Sequence, residues 1–217
     1  FVAQSARGLG QPMVPQTEID KAKTIVERFM VRWRGEPEPA HVQAVDAYFV
    51  SAAEHGMNAS TFTSRVIAST GADVAAAISG AVGAMSGPLH GGAPSRVLGM
   101  IEEIERSGDA TAYVKGVLDR GERLMGFGHR VYRAEDPRAR VLRRTARELN
   151  APRYEVAEAL EKAALEELRA RRPDRVLETN VEFWAAIVLD FAQVPAHMFT
   201  SMFTCARLAG WSAHTLE

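Results

Sequence analysis

The sequence predicts an all-α protein, and three observations carry that prediction. Apolar residues recur at three- and four-residue spacing in one segment after another, and short glycine, aspartate and proline breaks separate the segments. No stretch alternates apolar with polar residues between hairpin turns, and no repeat period links the segments.

The elements follow in order. Between Thr17, a candidate N-cap, and the "RGEPEP" turn, residues Ile19, Ala22, Ile25, Val26, Phe29 and Trp33 keep helical spacing, which predicts one amphipathic helix. A second runs from about 40 to 53, with Val42, Val45, Phe49 and Ala52 on its buried stripe and Pro39 at its first turn. "EHGMNAST" then interrupts the pattern. The uncharged stretch from Val74 to Leu89 is too short and too rich in Gly and Ala to cross a membrane, and its small residues predict a helix packed closely on another. Val97, Leu98, Ile101 and Ile104 share one face, as do Tyr113, Val114, Val117 and Leu118. Asp136 and Pro137 form an N-cap followed by proline at the first helical position, and "RYEVAEALEKAALEELRARR" ends before Pro173. Residues 181–192 and 198–216 complete the set.

Composition narrows the function classes. At 217 residues the chain has room for one large domain or two small ones. With 26 basic and 27 acidic residues the net charge is −1, so no global field points to nucleic acid or an anionic membrane, and any anion site must come from local arginine clusters. Cys205 is the single cysteine and lies in an apolar stretch, which excludes an internal disulfide or a cysteine zinc site and fits a reducing cytoplasm. "FVAQSARGLGQP" has neither an initiator methionine nor a signal-peptide pattern, and "SAHTLE" carries no cap or turn, so the expectation is a chain cut at both ends.

Chemistry concentrates at the helix breaks. His55, His90 and His129, with His214 near the end, sit at glycine-rich or polar interruptions, where glycine allows a histidine to be offered to a ligand. No His-x-x-x-His or His-Glu-x-x-His pair supplies a metal site, so acid–base and electrostatic catalysis on an anionic substrate is the stronger reading, with no metal. Arg130, Arg133, Arg138 and Arg140 surround His129, and Arg207 lies in an apolar helix where an unpaired guanidinium would be costly. Arg140, Arg143 and Arg144 read instead as a solvated face paired with Glu135 and Asp136. Glu182, one acid among Val181, Phe183, Trp184 and Ile187, has two readings. It either favours the helix dipole or is a desolvated general base with a raised pKa.

The stretches "EHGMNASTFTSRVIAST", "GPLHGGAP", "GERLMGFGHRVYRAEDPR", "ETNVEFWAAIVL" and "MFTCARLAGWSAHTLE" together resemble the citrate synthase family over nearly the whole chain, in its order and spacing. The "GGAPSR" and "NVEF" variants look like the minor bacterial branch called citrate synthase 2. The resemblance implies an all-α, two-domain fold, with residues 1–90 and 192–217 in the large domain, part of which is missing here, and 91–191 in the small one. Substrates would bind in the cleft between the two, and hinge closure would complete the site.

It further implies condensation of acetyl-CoA with oxaloacetate to give citrate and CoA, in the tricarboxylic acid cycle. His90 would stabilise the enol or enolate, Glu182 would take the methyl proton, and His129 would polarise the ketone. Arg138, Arg207 and His55 would hold oxaloacetate, and Gly126, Phe127 and Gly128 would form a closing loop that meets CoA. No cofactor is implied beyond the CoA thioester, which is a substrate. The implied partners are these small molecules and a second copy in a cytoplasmic homodimer, its interface including the helix from Val74 to Met85, with no nucleic acid and no membrane. Most of the family has aspartate where this chain has Glu182, and the extra methylene, about 1.5 Å, calls for a compensating backbone shift. Two rivals stand beside this reading. One is 2-methylcitrate synthase using propionyl-CoA, which differs by one methyl group worth about 1–3 kcal/mol. The other is a weakly active homologue kept for binding or regulation.

Overall fold

The computed structural model describes residues 1–87, 90, 94–129 and 134–217, with the backbone alone at 94 and 95. Twelve α-helices and one 3-10 turn are formed by the described residues, with no strand beyond an isolated bridge between Phe127 and Thr179. The packing divides into two compact units, Phe1–Gly91 with Thr200–Glu217, and Gly92–Phe199.

The first unit holds α1 (Val2–Arg7), α2 (Gln16–Ile19), α3 (Ile25–Arg34), α4 (Pro39–Ala52), α5 (Ala59–Ala68), α6 (Val74–Met85) and, from Thr200 on, α12 (Phe199–Leu216). The single helix expected between Thr17 and Arg34 is instead α2 and α3. Thr24 starts the second, because its Oγ1 accepts the Glu27 N–H at 3.0 Å while the Glu27 carboxylate accepts the Thr24 N–H at 3.0 Å. The new start rephases the stripe. Val26, Met30 and Trp33 go inside and Ile25 is left 81% exposed. In α4 the buried face is Ala44, Val45, Tyr48 and Ala52, with Val42 and Phe49 half-buried at its margin.

Helix α5 has no apolar stripe to announce it. Its inward face is Ser60, Thr61 and Ser64, all fully buried, and its first turn is capped by Asn58 Oδ1, which accepts the N–H groups of Ser60 and Thr61 at 3.1 Å each. Helix α6 has the expected span. Its Gly80 faces α5 so closely that a Cβ there would run into the Ile67 side chain, which is the close helix contact that the small residues predict. Ala81 and Met85 then pack with Trp211 of α12, flanked by Ile78 and Phe203.

The second unit holds α7 (Pro94–Ser107), α8 (Ala110–Asp119), α9 (Pro137–Glu148), α10 (Tyr154–Arg171) and α11 (Val181–Phe191), followed by the 3-10 turn Ala196–Met198. Helix α11 is its centre. Phe183 through Leu189 are all buried, with α7 and α9 packed on this helix and α8 lying on α10. A helix apolar on every side has to be wrapped by others, so its polar first turn, Asn180 and Glu182, is where chemistry can emerge.

Candidate active site

The residues singled out in the sequence fall into two sets, one in each unit. Gly126, Phe127, Gly128, His129, Arg138 and Glu182 belong to the second unit, and His55, His90 and Arg207 to the first. Arg130 and Arg133 lie outside the described residues.

In the second unit Asp136 organises the set. Its carboxylate is 1% exposed and grips Arg138 with two bonds, Nε to Oδ1 at 3.0 Å and Nη2 to Oδ2 at 2.7 Å. Oδ1 also accepts the Arg138 backbone N–H at 3.0 Å, capping α9, and Oδ2 accepts the Val181 N–H at 3.1 Å, at the start of α11. One acid therefore joins the N-termini of two helices and fixes a guanidinium beside them. Burial works to raise the Asp136 pKa, but the Arg138 bonds and charge and the two backbone N–H groups outweigh it and hold the carboxyl below its usual range.

Glu182 sits one residue further on, in the first turn of α11, with its N–H donated to Asn180 Oδ1 at 3.0 Å. Burial pushes its carboxyl up to about 7, opposed by the Arg138 charge and assisted by that of Asp136. His129 responds to the same groups. Its pKa is lowered by burial first, then by Arg138, against the pull of Asp136, so the imidazole is neutral at neutral pH. A half-protonated carboxyl, a neutral imidazole and a fixed guanidinium suit proton abstraction and the polarisation of a carbonyl on an anionic substrate.

The glycine segment is strapped to this turn. Gly128 N–H donates to Glu178 O at 2.7 Å, Asn180 N–H to Gly126 O at 2.9 Å, and the Asn180 amide to Gly128 O at 2.9 Å. Gly126 has φ +87°, and a Cβ there would stand 2.8 Å from Phe183 Cβ, so only glycine lets the strap lie on α11. Phe127 is 9% exposed and its ring meets Phe183 at 5.3 Å.

Of the three arginines expected on a solvated face, Arg140 is exposed and Arg144 pairs with Glu148, whereas Arg143 reaches inward. It bonds Glu135 and, at 3.2 Å, Glu161, a 4%-exposed acid that also accepts the Trp184 indole N–H at 2.9 Å. The pairing of Arg143 is therefore partly internal. Glu161 lies 18 residues away on α10, beyond what local spacing can reveal.

In the first unit His90 is half-buried, with Nε2 2.9 Å from Ser60 Oγ. Ser60 is held in turn by Asn58 Oδ1 at 2.8 Å and by the Trp211 indole N–H at 3.2 Å. Burial, then the Arg207 charge, lowers the His90 pKa, so this imidazole too is neutral. Arg207 is 2% exposed. Its Nε donates to Ala52 O at 2.7 Å and its guanidinium lies 4.8 Å from the Phe203 ring centre. His55 follows Glu54 in the turn after α4 and is half-buried.

The sequence points to neither Ser60 nor Trp211, and it presents Asp136 as a cap and as a partner of arginines on a solvated face. The Asp-Pro-Arg signature does find the cap. Nothing local shows that the second carboxylate oxygen serves another helix, or that a serine in a polar helix faces a histidine 30 residues on.

A family model described as the citrate synthase C-terminal domain matches residues 2–217. The chain is 74% identical over 217 residues to proteins named "Putative citrate synthase 2" in Mycobacterium bovis and Mycobacterium tuberculosis, covering 100% of this chain and 58% of theirs. It is 37% identical over 186 residues to the 2-methylcitrate synthase of Shewanella oneidensis, covering 83% of this chain and 48% of that protein. Its fold matches the citrate synthase of Thermoplasma acidophilum, solved as a ternary complex with carboxymethyl coenzyme A and oxaloacetate, with a TM-score of 0.84 and 26% identity, over 100% of this chain and 58% of that one. With the family model matching residues 2–217 and the same all-α fold beneath it, the chain belongs to the citrate synthase family.

Proposed function

We propose that this chain supplies the reacting groups of an enzyme that condenses acetyl-CoA with oxaloacetate and releases citrate and free CoA. The observation that carries the reading is the Glu182 carboxyl, raised by burial to about 7 beside an arginine anchored by a buried acid. A thioester methyl is a very weak acid, so the base needs a pKa near the working pH and help at the carbonyl. Glu182 takes the methyl proton while His90 donates a hydrogen bond to the thioester oxygen. Ser60 donates its single O–H proton to Asn58 Oδ1 and accepts the Trp211 indole N–H, so His90 Nε2 donates to Ser60 Oγ in this arrangement, and a proton on Nδ1 for the substrate requires the Ser60 hydroxyl to turn from Asn58 to Nε2.

The enol carbon attacks the ketone carbon of oxaloacetate. His129 polarises that ketone, and Arg138, Arg207 and His55 bind the carboxylates. Water then cleaves the thioester. The Gly126–Gly128 strap contributes backbone to the CoA side, and the reaction uses no cofactor besides the CoA thioester. A cytoplasmic location and a homodimer are part of this reading, the homodimer supported by apolar exposure at Phe62 (59%) and Val66 (48%) on α5 and at Val74 (41%) and Val82 (40%) on α6.

The similarity to a 2-methylcitrate synthase favours one second reading, in which propionyl-CoA is the substrate. Thiol release by the full-length protein, given oxaloacetate with each thioester, separates the two. Acetyl-CoA turnover that falls by about 100-fold or more in Glu182→Gln is the expected result. Faster turnover with propionyl-CoA selects the second reading, and no release with either thioester removes both.

A further inference from the structure

Helix α12 carries Arg207, Gly210 and His214 at spacings of three and four, hence on one face, and each of the three meets a successive residue of the turn that leads into His55. Arg207 Nε donates to Ala52 O at 2.7 Å. The Gly210 N–H donates to Ala53 O at 3.1 Å. His214 Nε2 lies 3.2 Å from Glu54 Oε1.

The third contact has a defined direction. Arg65 Nη1 stands 3.0 Å from His214 Nδ1, and a guanidinium can only donate, so Nδ1 accepts and the ring proton sits on Nε2, facing the Glu54 carboxylate. The middle contact depends on the absence of a side chain. A Cβ at Gly210 would lie 2.5 Å from the Ala53 carbonyl oxygen and would also run into the Glu54 carboxylate. Backbone cannot yield as the end of a side chain can, so any other residue at 210 has to push the turn off the helix.

We propose that Gly210 and His214 are positioning residues. With Arg207 they form a three-point register that seats the Ala52–His55 turn on α12, so that His55 and Arg207 are presented to oxaloacetate as one rigid pair. This rests on the reading of those two residues as oxaloacetate contacts. Arg207 serves twice, since the guanidinium that faces the ligand also holds Ala52 O, the first point of the register.

The test uses full-length protein with Gly210→Ala and, in case that variant fails to fold, His214→Ala, which removes only the third point. Neither side chain is placed against substrate, so a purely structural loss would lower the active fraction and the melting temperature and leave both KM values unchanged. The register instead raises KM for oxaloacetate, on the order of 10-fold for Gly210→Ala and a few-fold for His214→Ala, with KM for acetyl-CoA unmoved. Faster amide hydrogen exchange at residues 53–56 is expected in both variants. Unchanged KM for oxaloacetate in folded variants overturns the proposal, as does unchanged exchange at the turn. If the wild type binds no oxaloacetate, the functional reading beneath it fails, and exchange still reports separately whether the register holds the turn.

Discussion

Glu182 brings together two demands that oppose each other. The proposed role as base requires an ionised carboxylate, and burial in the first turn of an apolar helix disfavours the ion. Its folded pKa of about 7 lies above the ordinary carboxyl value of 4.5, so the folded state binds more protons between those values and stability falls as pH rises through that window. Glu182→Gln, which mimics the neutral form, is therefore expected to stabilise the protein by roughly 1–3 kcal/mol above pH 7, a gain that shrinks towards pH 4.5. Denaturant unfolding at pH 5 and pH 8 measures this, and a variant no more stable than wild type at pH 8 would contradict the raised pKa. In the proposed reaction the same pKa is expected to place the acid limb of kcat/KM near pH 7. His90 and His129, both lowered by burial, are neutral at and above pH 7 and add no limb of their own there.

Among the elements, the strap from Gly126 to Gly128 and the first turn of α11 behave as one piece. Three hydrogen bonds join them, and both glycines take positive φ, +87° and +83°. Gly126→Ala adds left-handed strain to a Cβ pressed on Phe183, and the expected cost is about 2–4 kcal/mol. Thermal unfolding reads that loss. Because the strap holds Asn180, and Asn180 caps the turn that bears Glu182, turnover should fall further than the folded fraction does. Equal falls would show that the strap is structural alone. Helix α5 makes a related point, since its buried face is polar and Ser60 on it is held between Asn58, Trp211 and His90.

For the whole molecule, the α5–α6 pair bears on assembly. Gly80 consumes one side of α6 in the contact with α5, while Phe62, Val66, Val74 and Val82, 40–59% exposed, remain on the outside of the pair. Apolar side chains grouped this way are what a second copy would cover. For the proposed homodimer, Phe62→Glu in the full-length protein is expected to shift sedimentation velocity from dimer towards monomer with helicity retained, and an unchanged dimer would move the interface elsewhere. The chain spans 58% of the length of its mycobacterial relatives, so assembly has to be measured on the longer protein.

The sequence by itself determined which segments are helices wherever an apolar period or a local cap declared them, as in α4, α6 and α9, and its motifs carried the family. It failed at two places for local reasons: a capping box hidden inside one apparent period divided α2 from α3, and α5 buries hydroxyls that no hydropathy pattern reports. Tertiary structure alone decided the rest. The second role of Asp136, the inward pairing of Arg143, the pKa of Glu182 and the seating of the Ala52–His55 turn on α12 each depend on burial or on partners 18 to 160 residues apart. Such distances are closed only by folding, because helical periodicity encodes which face turns inward and not which side chain of another helix it will meet.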